Sequence, residues 1–146
     1  MDSQKVESLA FRIVNDSGGA YTLALAYIGD RLGIFKAMAG AGPLTSTELA
    51  RKTTLNERYV REWLKSMVAS EYLDYDPATA RYVMTPEQAY VISDENSPMF
   101  CGGVLHLTTP TVLNTPKVLE AFKNGGGVAY DQLGKDIPNY KDEKKK

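Results

Sequence analysis

The chain of 146 residues carries 17 Lys plus Arg against 18 Asp plus Glu, a formal net charge of −1, and is 43% hydrophobic and 24% charged. That length holds one domain or two, and the composition is that of a folded globular protein. The charge balance excludes the basic excess of a generic nucleic-acid or acidic-membrane binder, the single Cys excludes an internal disulfide or a Cys-rich zinc centre, and the single His leaves little for metal binding or His-based catalysis.

The chain opens on Val6, Leu9, Ala10, Ile13 and Val14, whose spacing is one face of an amphipathic helix. Asp16-Ser17-Gly18-Gly19 is turn-forming and is expected to end it. From Ala20 to Ile28 the sequence AYTLALAYI is apolar nearly all round, the signature of a helix buried on every side. So short a chain has little else to cover it, which points to a partner subunit or a further domain. Leu32, Ile34, Phe35 and Met38 continue the apolar content, Gly33 marks a kink, and Gly40-Ala41-Gly42-Pro43 closes the segment.

Thr45 and Glu48 then make a T-x-x-E capping box, with Leu44 and Leu49 as the hydrophobic staple, for a short helix over residues 46–52. Asn56 is a second N-cap, stapled by Leu55 and Val60. The helix after it buries Val60, Trp63, Leu64, Met67 and Val68 and ends near Ser70. Two β-prone runs, residues 72–75 and 81–84, flank the turn sequence Asp76-Pro77-Ala78-Thr79-Ala80. Helix, turn, helix and hairpin is the winged-helix order. Thr85-Pro86-Glu87-Gln88 starts another short helix with proline at its first position. Ser97-Pro98 is expected to open a helix that Pro110 breaks or kinks, and Thr115-Pro116 to restart one that Asn124-Gly125 stops. The fold class is therefore mainly α: a winged helix-turn-helix with a short β-hairpin wing and additional N- and C-terminal helices. Its expected organisation is an N-terminal helix and turn over residues 1–19 and a winged-helix domain over 20–92. A helical extension with a Gly-rich loop follows over 93–137, and a charged tail over 138–146.

The strings NERYVREWL (residues 56–64), YLDYDPATARY (72–82) and GGGVAYDQLG (125–134) carry a resemblance. Over residues 16–137 the sequence resembles the N-terminal winged-helix domain of class I S-adenosylmethionine-dependent methyltransferases, small-molecule O-methyltransferases among them. The resemblance implies a domain that dimerises and roofs a substrate pocket, while a Rossmann-like C-terminal domain binds S-adenosylmethionine. This sequence stops before any strand followed by the glycine-rich turn that would hold the cofactor. The expectation is therefore that this chain alone binds no cofactor and performs no methyl transfer. The expected partners are a second copy in a homodimer and, in the complete enzyme, a small-molecule methyl acceptor.

From Thr45 to Thr85, six basic residues (Arg51, Lys52, Arg58, Arg61, Lys65, Arg81) oppose six acidic ones (Glu48, Glu57, Glu62, Glu71, Asp74, Asp76). Glu57 with Arg61 and Arg58 with Glu62 are four apart and should pair along the helix, while Asp74 and Asp76 set the wrong sign on the wing for phosphate. A stand-alone DNA-binding transcription regulator is thus the weaker alternative, and an interaction module recruiting a longer homologue a third.

Gly125-Gly126-Gly127 has neither the G-x-G-x-x-G nor the P-loop pattern and reads as a hinge. Cys101 and His106, five apart, make a poor nucleophile–base pair, and the expectation is a buried Cys and a His at the edge of an apolar surface. No catalytic, cofactor-binding or metal-ligating residue is assigned. The resemblance makes His106, Phe100 and Tyr130 the substrate-contact candidates. Trp63 is expected in the core. Tyr21 and Tyr27, with Leu25 and Ile28 on the same apolar helix, are expected at the subunit interface. With no apolar run long enough for a bilayer and no signal sequence, the expected location is cytoplasmic.

Overall fold

The computed structural model describes residues 1–129. The described residues fall into two compact units, a first over Met1–Leu105 and a second that begins at His106. The described residues contain seven helices and one two-stranded antiparallel sheet.

Helix α1 runs unbroken over Ser3–Arg31, capped by the Asp2 carboxylate, which accepts from the N–H groups of Gln4 and Lys5. The expected turn at residues 16–19 does not form. Two helical glycines cost about 1 kcal/mol each relative to alanine, but propagation from good helix formers on both sides outweighs that. Ser17 joins the helix instead of leaving it, its hydroxyl donating to the Ile13 carbonyl at 2.9 Å. The chain breaks at Gly33, where φ is +68°, and α2 (Ile34–Met38) starts there. The apolar stretch before it is not buried on every side: Ala26 is fully buried, whereas Tyr21 and Ile28 are exposed.

Helix α3 (Ser46–Thr53) begins on the Thr45/Glu48 capping box and stops at Thr54 in the left-handed region. Helix α4 (Glu57–Ala69) is capped by Asn56 and buries Val60, Trp63, Leu64 and Met67. The apolar periodicity thus finds the face that the fold buries. Strands β1 (Asp74–Asp76) and β2 (Arg81–Val83) form the wing, in register Asp74↔Val83, Tyr75↔Tyr82, Asp76↔Arg81. Each strand lies within a residue or two of its expected bounds. Leu44 adds a bridge to the far side of β2, exchanging backbone hydrogen bonds with Tyr82 at 2.9 and 2.8 Å. Helix α5 (Pro86–Ile92) carries the second capping box, Thr85/Gln88.

No helix opens at Ser97-Pro98. The Ser97 hydroxyl accepts from the Met99 N–H at 3.0 Å, the Cys101 N–H is taken by the Val91 carbonyl at 2.8 Å, and α6 (Gly102–Leu113) starts later. Nor does Pro110 end α6; the helix passes it, with one N–H fewer to donate. Helix α7 (Thr115–Asn124) ends at Gly125, the first of three consecutive glycines with positive φ.

The core of the first unit lies where α1, α2, α3, α4 and the wing converge. Phe35, Ile34 and Met38 of α2, Leu49 of α3, Leu64 and Met67 of α4, and Leu73 are its fully buried side chains. Phe35 meets Trp63 edge to face, ring centroids 5.0 Å apart.

Candidate functional site

A winged helix can work through the outward face of its second helix or through surfaces that its other helices leave open. On α4 the outward residues are Arg58, Tyr59, Arg61, Glu62 and Lys65. Glu57 reaches Arg61 at 3.7 Å, as the spacing predicts. The expected Arg58–Glu62 pair does not form: Glu62 takes Lys65 at 3.3 Å and Arg61 at 3.9 Å, because the i+3 lysine and the neighbouring arginine reach it first.

The wing is tied down by Arg81. Its two terminal nitrogens donate to the two Glu48 oxygens at 2.7 and 3.1 Å, and Nη1 also donates to the Pro43 carbonyl at 3.0 Å. The same Glu48 carboxylate accepts from the Thr45 backbone N–H at 2.8 Å. That N–H first, and then the guanidinium, hold the Glu48 pKa below the usual carboxylate value. The wing turn is closed by Asp76, whose pKa is lowered by the Thr79 hydroxyl and then the Ala78 N–H, so the tip keeps its negative charge. Asp74 accepts from the Gln88 amide at 3.1 Å. Of the cations around the helix-turn-helix, Arg51, Lys52 and Arg58 are exposed and make no ion pair among the described residues.

The α1–α4 seam escaped sequence reading. The Trp63 indole N–H donates to the Leu25 carbonyl at 2.8 Å, and a Cβ placed on Gly29 would overlap the indole ring, only 2.8 Å from its Cε2. Thr22 and Ser70 share a hydroxyl hydrogen bond of 2.9 Å between the same two elements. Only pairing a tryptophan with a distant glycine could have revealed the seam, and nothing local links residues 29 and 63. Of the four interface candidates on α1, Tyr21 is 75% and Ile28 45% exposed, while Leu25 and Tyr27 are half-buried and Leu25 leans on the core.

Among the substrate-contact candidates, Phe100 is half-buried, with its ring so close to Gly102 that a Cβ there would lie 2.7 Å from Cε1. It belongs to the first unit. His106 is half-buried on α6 in the second unit, and Tyr130 lies outside the described residues. Cys101 is exposed rather than buried, its thiol donating to the Met99 carbonyl at 3.4 Å, because the turn before α6 sets it outside the helix. The described residues hold no group of three metal-ligating side chains, and none of their helices is long and apolar enough to cross a membrane. They do not fit S-adenosylmethionine. The strands are three-residue wing strands, and Gly125-Gly126-Gly127 follows a helix rather than a strand.

Comparison with known proteins sets these observations in a family. The family model for the Rv2258c-like winged HTH domain matches residues 19–94. No curated protein matches the chain. The fold recurs in human N-acetylserotonin methyltransferase, solved with SAM, at TM-score 0.68 and 21% identity over 88% of this chain and 38% of that one. It recurs in the mitomycin 7-O-methyltransferase MmcR at TM-score 0.65 and 19% identity, covering 84% of this chain and 36% of that one. The N,N-8-amino-8-demethyl-D-riboflavin dimethyltransferase RosA of Streptomyces davawensis has TM-score 0.65 and 20% identity, over 97% of this chain and 39% of its own. The chain thus spans less than two-fifths of the length of these structures.

Proposed function

The chain belongs to the Rv2258c-like winged HTH domain family, and from that premise we propose that it is the dimerisation and substrate-lid module of a small-molecule methyltransferase. The observation that carries this is that three of the six helix-turn-helix cations, Arg61, Lys65 and Arg81, are spent on internal ion pairs. Arg81 is bound to Glu48 at 2.7 Å and Arg61 to Glu57 at 3.7 Å, and the wing tip holds an ionised Asp76. A phosphate-reading face needs those cations free. In such an enzyme S-adenosylmethionine supplies an electrophilic methyl group for transfer to a nucleophile on the acceptor. No site for it is assigned to this chain; it would belong to a separate catalytic domain.

The part taken by this chain is positional. His106, Phe100 and Tyr130 are each proposed as acceptor contacts in the complete enzyme, where catalysis depends on holding the acceptor in line and excluding water. The α1 surface with Tyr21, Leu25, Tyr27 and Ile28 is proposed to form a homodimer, in the cytoplasm. Exposed Tyr21 and Ile28 on α1 support it, since large exposed apolar residues in a contiguous stripe mark association surfaces. The competing reading is a DNA-binding regulator, for which Arg51, Lys52 and Arg58 are the exposed cations at the α3–α4 turn.

The test combines sedimentation of the chain with titration into a labelled random DNA duplex at low and raised salt. The expected result is a dimer that binds no duplex. Tight binding that weakens steeply with salt would overturn the methyltransferase reading in favour of the regulator.

A further inference from the structure

The last turn of α7 is held by little. Phe122 is 87% exposed, Lys123 and Asn124 are exposed as well, and the final helical hydrogen bond runs from the Gly125 N–H to the Ala121 carbonyl at 2.9 Å. Beyond it Gly125, Gly126 and Gly127 all hold positive φ, and a Cβ built on any of them would meet nothing within 4 Å. Among the described residues, then, no packing over these α-carbons pins the helix end. A terminus held in this way opens at almost no cost in free energy.

Asn124 is the last residue of α7, and its side-chain amide donates to Glu120 Oε2 at 3.5 Å, the long end of the range for such a bond. It is the one Asn in the sequence that precedes a glycine; Asn15, Asn56, Asn96, Asn114 and Asn139 all precede residues with a side chain. That difference is chemical. The Cγ of an Asn and the backbone nitrogen of the next residue can close a five-membered ring, and such a reaction is governed by how readily the two atoms meet. A glycine nitrogen approaches with no Cβ beside it. While the helix is closed, the Gly125 nitrogen is engaged with Ala121; when the last turn frays, it is released.

We propose that Asn124 is a self-modification site, deamidating through a cyclic imide with Gly125 when the last turn of α7 opens. The Gly125 nitrogen gives its proton to solvent base and adds to Asn124 Cγ. The bond from Cγ to Nδ2 breaks, and the side-chain nitrogen takes up a proton and leaves as ammonia. Water then adds to one of the two ring carbonyls, and the ring C–N bond at that carbon breaks. Opening at the side-chain carbonyl gives aspartate, and opening at the main-chain carbonyl gives isoaspartate. One water is consumed, one ammonia is released and takes the acid proton, and a neutral amide becomes a carboxylate. Nothing is oxidised or reduced. The new carboxylate stands at the negative end of the helix dipole, one turn from Glu120, and has no donor to offer it. The modification therefore unwinds the end of α7 and lengthens the glycine segment after it.

The full chain, incubated at mildly alkaline pH either folded or unfolded in urea, tests this. The peptide that holds Asn124 is followed over time by reversed-phase separation and fragmentation in a mass spectrometer. Isoaspartate should form at Asn124 in excess of aspartate, and the folded chain should react within about a hundredfold of the unfolded one, because only a local opening is needed. Asn124→Gln, which would have to close a six-membered ring, should give no product. Aspartate without isoaspartate would mean direct hydrolysis and overturns the imide route. A folded chain slower than that limit overturns the opening of α7 as the gate, and an unfolded chain that stays intact overturns the site itself. Asn124→Asp, the aspartate product made directly, should speed amide hydrogen exchange in the last turn of α7; exchange as slow as the parent's overturns the unwinding.

Discussion

Arg81 on the wing closes a two-pronged ion pair on Glu48, at 2.7 and 3.1 Å, with the very carboxylate that completes the α3 capping box on Thr45. One side chain thus starts the first helix of the helix-turn-helix and anchors the second strand of its wing. The consequence is pH-dependent. Glu48 has a folded-state pKa below its ordinary value, so its contribution is present above the unfolded value and is lost as pH falls through the folded one. Thermal melting of the parent chain should therefore fall more on acidification through the carboxylate range than melting of Glu48→Gln. The pair is partly exposed and the effect small, so the two curves converge at the acid end rather than cross.

The α1–α4 seam predicts a larger effect. Gly29→Ala drives a methyl into the Trp63 ring, an overlap that backbone or ring must relieve. The expected loss is about 1–3 kcal/mol, the usual range for overpacking. Trp63→Ala removes the edge-to-face contact with Phe35 and the hydrogen bond to Leu25, at about 3–5 kcal/mol. Urea unfolding followed by far-UV circular dichroism measures both. A Gly29→Ala variant as stable as the parent would mean that the helices do not meet there.

Glu71 and Ala80 hold positive φ, +62° and +54°, with ordinary side chains. Glycine relieves about 1–2 kcal/mol of left-handed strain and costs part of that in unfolded-chain entropy. Glu71→Gly and Ala80→Gly should each stabilise the chain by about 0.5 kcal/mol, read as a rise in denaturation midpoint at constant slope.

At the surface, Tyr21→Glu and Ile28→Glu change residues that are 75% and 45% exposed. Both should leave the monomer's melting temperature within experimental scatter. Each should weaken self-association by at least about tenfold, because a charge would have to be desolvated at the proposed interface. Sedimentation equilibrium measures it, and an unchanged association constant would remove these residues from the interface.

The sequence by itself determined the parts whose physics is local. Thr45 with Glu48, Asn56, and Thr85 with Gln88 are caps that satisfy helix ends within three residues, and each starts a helix at the expected place. The buried stripe of α4 is periodic over a few turns and equally legible. Local chemistry misled wherever a competing contact lay further away. Residues 16–19 have turn composition, yet the helix on each side carries through them, anchored on the far side by the Trp63 contact. Ser97-Pro98 has the composition of a helix start, yet the Cys101 N–H is drawn to Val91 and the helix begins later. Of the candidate site, residue types and neighbours along the chain were readable. The Arg81–Glu48 pair joins residues 33 apart and the Trp63–Leu25 bond residues 38 apart. Such contacts exist only once the chain has closed its loops and brought distant faces together, so tertiary structure alone decided which cations are spent and which face of α1 is left open.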